Sequence, residues 1–167
     1  LFKLINLRTF DAYNFSLTII SSGGFLSTNS FDSLFNSNIS KIILSITILF
    51  SYFSLFFTFN ILFFKKRNIN YLSEDFYLLI YLFIVVSFIF VFFNYDNNFL
   101  NILVSITSSV SNLGISFVDT PKNLSFIFLL LVIIGGSFFS TSSGLRVIKV
   151  LSLIKFSINN LLSHTSP

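Results

Sequence analysis

Between Lys41 and Lys65 the chain carries no charge for about 23 residues, and a helix needs roughly 20 apolar residues to cross a bilayer. No other feature restricts the fold as strongly. A second uncharged run covers residues 76–93. A third begins near Leu124 and continues to Arg146, interrupted by Gly135, Gly136 and the cluster Ser140, Thr141, Ser142, Ser143 and Gly144. After Arg146 comes a basic amphipathic stretch, 147–162, expected to be helical. Composition agrees: of 167 residues 54% are hydrophobic and 10% charged, with a mean hydropathy of +0.89. Soluble domains carry about a quarter charged residues, so much of this surface is expected to face lipid. The 26 Phe, with abundant Ile, Asn, Leu and Ser, read as an AT-rich coding bias rather than an aromatic binding surface. The absence of Cys excludes disulfides and thiolate metal sites.

The net charge of +4 does not imply a nucleic-acid partner, because the cations stand at the ends of apolar runs. Lys65, Lys66 and Arg67 follow the first run, and Arg146, Lys149 and Lys155 follow the third. The segment between the second and third runs holds Asp96 and Asp119 against Lys122. The positive-inside rule therefore puts both basic clusters in the cytoplasm and residues 94–122 outside. Lys3 and Arg8 run against this assignment. The chain starts at Leu1 without a signal sequence and is expected to be an internal fragment.

Two shorter segments, 10–20 and 98–110, are too short to span. Each runs into a glycine turn, Ser21-Ser22-Gly23-Gly24-Phe25 in one case and Ser111-Asn112-Leu113-Gly114-Ile115 in the other. Each is followed by a polar stretch and a long apolar run. The unit recurs at a spacing of about 90 residues, an internal repeat. A half-helix entering a membrane directs its partially negative C-terminal end to the interior, where it attracts cations. Carbonyls of the following loop can replace a cation's hydration shell, as in potassium-channel filters. Glycine supplies the backbone angles such a loop needs. Ser22, Gly23, Gly24 and Phe25, with Asn112, Leu113, Gly114 and Ile115, are the candidate filter. Two loops make at most half of a ring.

The break in the third run has two readings. Gly135, Gly136, Ser140, Thr141, Ser142, Ser143 and Gly144 form either a loop that lines or obstructs an ion path, or a close helix-packing site. Arg146 and Lys149 mark the cytoplasmic boundary.

Several of these stretches resemble a known family. Asp11-Ala12 with Thr18-Ile19-Ile20-Ser21-Ser22-Gly23-Gly24-Phe25-Leu26-Ser27-Thr28 is similar to the second pore loop of the TrkH/KtrB potassium transporters. The stretch from Ile134-Gly135-Gly136 through Ser140-Thr141-Ser142-Ser143-Gly144 to Arg146-Val147-Ile148-Lys149-Val150 resembles the family's intramembrane loop and the helix after it. Asn112-Leu113-Gly114-Ile115 is similar to the third pore loop, and Glu74 matches an acidic residue before the next span. The resemblance implies an all-α integral membrane fold of helix–pore loop–helix repeats, potassium-channel-like, with this chain as a partial pore of a four-repeat transporter. Residues 1–67 would hold the pore loop and second helix of one repeat, and 68–167 the next repeat. It further implies potassium as the transported ion, no cofactor, pairing as a homodimer, and a cytoplasmic nucleotide-binding regulatory subunit like TrkA or KtrA. In such proteins serine at one filter glycine goes with sodium permeation; both positions here are glycine. Phe138, Phe139, Ser142 and Ser143 depart from the family's small-residue loop. The substitutions are expected to stiffen it, and Phe to narrow a path.

No nucleophile–base pair, phosphate-binding loop or metal-ligand spacing is present, and His164 reads as a solvated residue. The alternative function is a non-transporting membrane scaffold or assembly subunit that uses Gly and Ser for helix packing. A membrane-embedded enzyme would need polar catalytic residues at depth, which this chain lacks.

Overall fold

A computed structural model describes residues 2–5, 7–26, 31–55, 57–59, 72–92, 99–117 and 124–165. The fold is all-α. After a 3-10 turn at Phe2–Ile5 come α1 (Thr9–Ser21), α2 (Phe31–Leu34), α3 (Asn38–Tyr52), α4 (Leu72–Phe92), α5 (Phe99–Ser111), α6 (Ser125–Ile133) and α7 (Val147–Thr165). Among the described residues there is no strand, and an isolated parallel bridge joins Ile134 to Leu145.

The helix ends follow local chemistry. Ser37 caps α3: its backbone is extended and its hydroxyl oxygen accepts the Ser40 N–H at 3.1 Å, a contact typically worth about 1 kcal/mol. The two 13-residue helices α1 and α5 end alike. Ser22 (φ 49°) and Asn112 (φ 60°) both turn left-handed. The N–H of Ser22 bonds Ile19 O and that of Gly23 bonds Thr18 O, while Asn112 bonds Ser109 O and Leu113 bonds Ser108 O. This is a Schellman end with Ser or Asn where Gly is usual; Asn tolerates that conformation better than most side chains.

Helix α5 forms the centre. It packs most extensively on α3 and next on α6. Its small residues Ser105, Thr107, Ser108 and Ser111 are all buried, which lets backbones approach closely. Their hydroxyls are satisfied within the chain: Ser105 donates to Asn101 O at 2.9 Å and Thr107 to Val104 O at 2.9 Å. On one side of α3 and α5 lies an aromatic cluster. Phe31 stacks on Phe15 at 6.1 Å and meets Phe117 at 4.7 Å, over Leu44, Ile48 and Val104. A second core holds Tyr52, Leu78, Ile102, Ile106, Val110 and Leu131.

The expected spans are revised. Among the described residues no helix is long and apolar enough to cross a membrane. The run expected as one helix over 42–64 breaks: α3 stops at Tyr52, Phe53 and Ser54 leave the helix, and helical backbone resumes at Leu55. Residues 60–64 lie outside the described part. The third run forms only the nine residues of α6 before the backbone turns extended at Ile134. The second run lies in one unbroken helix, α4, of 21 residues, with Glu74 and Asp75 in its first turn. The basic clusters at 65–67 and the acids Asp96 and Asp119 with Lys122 lie outside the described residues.

The break in α3 has a visible cause. Asp75, fully buried, accepts the Ser54 N–H at 2.9 Å and the Ser54 hydroxyl proton. The Ser54 oxygen in turn accepts the Phe57 N–H at 3.1 Å. A carboxylate from α4 thus caps the restart of the helix. The carbonyls freed at the end of α3 are also used, as the next section describes.

Candidate ion path

The two glycine loops share one local geometry at an offset of 90 residues, Ser22 matching Asn112 and Gly24 matching Gly114. Gly24 has φ 68° and Gly114 φ 73°, a region that side chains resist. The residue four before each left-handed turn uses its hydroxyl to tie the loop down. Thr18 donates to Phe25 O at 2.8 Å, and Ser108 accepts the Ile115 N–H at 2.8 Å. The loops meet. A Cβ on Gly24 would collide with the carbonyl oxygen of Leu113, whereas one on Gly114 would find open space. Leu113 and Ile115 are buried, Gly23 and Gly114 are exposed, and Phe25 is 81% exposed.

Against these loops sits the segment after α6. Its neck is closed by Gly135 N–H to Leu145 O at 2.9 Å and Leu145 N–H to Ile133 O at 3.0 Å, making residues 135–144 a compact loop with joined ends. Its floor is the break in α3. Ser137 N–H bonds Tyr52 O, Ser142 N–H bonds Ser51 O, and Leu55 N–H bonds Phe139 O, all at 3.2 Å. The Thr141 hydroxyl adds a bond to Ser51 O at 3.3 Å. The last carbonyls of α3 thereby gain the partners that a helix end lacks.

The hydroxyls inside the loop act on its own backbone. Ser142 accepts the Gly136 N–H at 3.0 Å and lies 2.9 Å from the Ser140 hydroxyl. Where a glycine would leave these positions free, Ser142 crosslinks the loop. A Cβ on Gly135 or Gly136 would strike the backbone of Ser143 or Tyr52, so close packing explains both glycines. Gly144 has φ 97° and stands beside Gly135 and the Asn112 amide. Arg146 does more than border the loop. Its guanidinium donates to Ser137 O, to Ser140 O at 3.2 Å and to the Ser140 hydroxyl at 2.7 Å. Lys149 is exposed on α7. Phe138 is 47% exposed and meets Phe139 edge to face at 4.9 Å.

A cavity of about 480 Å³ opens between α1, α3 and the loop, bordered by Ser16, Ile20, Thr47, Ser51, Leu55 and Thr141. Among the described residues no group of three acidic or histidine side chains could hold a metal. The side chains of Glu74 and His164 are outside the described part.

The expected filter and loop residues thus fall in one neighbourhood, two glycine loops in contact and the third loop against them with Arg146 folded onto it, while Lys149 stands apart on α7. Sequence reasoning missed Asp75 and Ser54. The signal was a carboxylate at the start of an apolar helix, which must find donors when buried, but nothing local identifies Ser54 as the donor. No family model, curated protein or solved structure matches the chain.

Proposed function

We propose that the chain supplies two walls of a potassium-conducting pore in the cytoplasmic membrane, with residues 135–144 as its gate. The observation that carries this reading is the repeated half-helix with a left-handed turn and a positive-φ glycine, brought together at Gly24 and Leu113. Both helices end toward the shared loops, so two C-terminal dipole ends and the following carbonyls favour a cation at one place. Large exposed apolar side chains along α4, such as Phe76, Phe83 and Val91, support a lipid-facing exterior, since soluble monomers rarely expose so much apolar area together. The likeness of the loop sequences to TrkH/KtrB transporters supports the same ion and membrane. Two further glycine loops, from the same polypeptide or another subunit, complete the ring. A second copy and a cytoplasmic nucleotide-binding subunit belong to this reading as partners.

The test is potassium uptake by the full-length protein in cells that lack other uptake systems. Gly24→Val should abolish uptake while the protein still reaches the membrane; normal uptake with normal selectivity contradicts the reading. The packing of Gly135, Gly136 and Gly144 against backbone favours the scaffold alternative for those three positions. A scaffold would lose association or abundance on their replacement, with ion flux unaltered.

A further inference from the structure

The residue that turns each half-helix left-handed also reaches the gate loop. The Asn112 side-chain amide donates to Ser143 O at 2.7 Å, and the Ser22 hydroxyl donates to Thr141 O at 3.3 Å. These are equivalent positions in the two repeats, each with its backbone committed to the Schellman end. The acceptors, the carbonyls of Thr141 and Ser143, stand two residues apart in one loop. Because an amide nitrogen alone can donate to a carbonyl, the Asn112 orientation is fixed by its partner. The Asn112 oxygen is buried with no partner, so the side chain forgoes one hydrogen bond to hold this contact. The room for it comes from Gly144, where a Cβ would stand 2.9 Å from the amide nitrogen.

We infer that Asn112 and Ser22 are positioning residues that tether the gate loop to the two filter loops, so that the loop cannot leave its seat without releasing both turns. The inference rests on the reading of residues 135–144 as a gate. Chemically, each tether occupies a loop carbonyl that would otherwise be free to bind water or a passing cation. Release of the tethers exposes the carbonyls of Thr141 and Ser143 together and frees the loop from above. The bonds to Ser51 and Tyr52 hold it only from below. The Asn112 bond is the shorter and carries more of the restraint.

The left-handed backbone supplies a clean variant. Glycine adopts φ near 60° without strain, so Asn112→Gly and Ser22→Gly remove the tether and leave the turn intact. The readout is thiol labelling of Ser142→Cys in full-length protein from which any other cysteine has been removed, in membranes; Ser142 is only 1% exposed. Labelling should be slow in the parent and should accelerate at least tenfold with Asn112→Gly, less with Ser22→Gly, and most with both. Unchanged labelling in the double variant overturns the tether. In parallel, potassium flux without the regulatory subunit should rise with Asn112→Gly. A changed potassium-to-sodium ratio with unchanged labelling would make Asn112 part of the filter and overturn the tether as well. Faster labelling beside normal uptake by Gly24→Val would leave the tether standing and remove the pore.

Discussion

Helix α1 buries four side chains and α5 buries nine, although the two have the same length, the same left-handed end and the same glycine after it. Ile20 is 61% exposed, and Val110, its counterpart 90 residues on, is fully buried. Helix α5 packs on α3, on α6 and on α4, whereas α1 packs on α3 and the N-terminal turn. The loop geometry is therefore written locally, in the Schellman end and the hydroxyl that ties the loop, and survives a change of surroundings. Burial is set by neighbours. In the proposed ring, the open flank of α1 is where the preceding wall would stand.

Paired substitutions separate these two contributions. The largest difference is expected at the glycines. Gly24→Ala adds left-handed strain of about 1–2 kcal/mol to a collision with Leu113, costing roughly another 1–3 kcal/mol. Gly114→Ala incurs the first cost alone, having open space around it. Unfolding of the purified full-length protein should show Gly24→Ala as the more damaging, and equal losses would break the comparison. Next, Val110→Ala should cost about 2 kcal/mol through lost contacts and a cavity, while Ile20→Ala stays within about 0.5 kcal/mol. A large loss at Ile20 would mean that the flank of α1 is already covered. The smallest difference concerns the loop hydroxyls. Ser108→Ala strands the buried Ile115 N–H, at about 1–2 kcal/mol. Thr18→Val only frees the carbonyl of Phe25, whose residue is exposed, and should cost about 0.5 kcal/mol. Hydrogen exchange at Ile115 should accelerate in the first variant.

The sequence made some of this legible. Ser-Gly-Gly after residue 21 and Asn-Leu-Gly after 111 announce helix ends, because few residues other than Gly and Asn accept a left-handed backbone, and both helices end within one residue of expectation. Gly135 and Gly136 likewise announce the end of α6. The break at Phe53 and Ser54 was hidden, since the surrounding run holds neither Gly nor Pro and reads as continuous helix. Its cause lies in tertiary partners: the Asp75 carboxylate on one side and the amides of Ser137 and Ser142 on the other. Arg146 was readable as a charge at a boundary, but not its fold back onto Ser137 and Ser140, which depends on the loop closing at Ile134 and Leu145. The approach of Gly24 to Leu113 was unreadable for a related reason. Repetition shows that two loops are alike without showing that they touch.

The central claim is that the two glycine loops face one cation path, and Gly114 tests it with least ambiguity because a side chain there meets no neighbour. The measurement is the ratio of potassium to sodium flux through the full-length protein in liposomes, with and without Gly114→Ser. The account predicts a folded protein whose ratio falls at least tenfold, as a hydroxyl and a strained turn disturb the carbonyls that select the ion. A folded Gly114→Ser protein with the parent's ratio would contradict it.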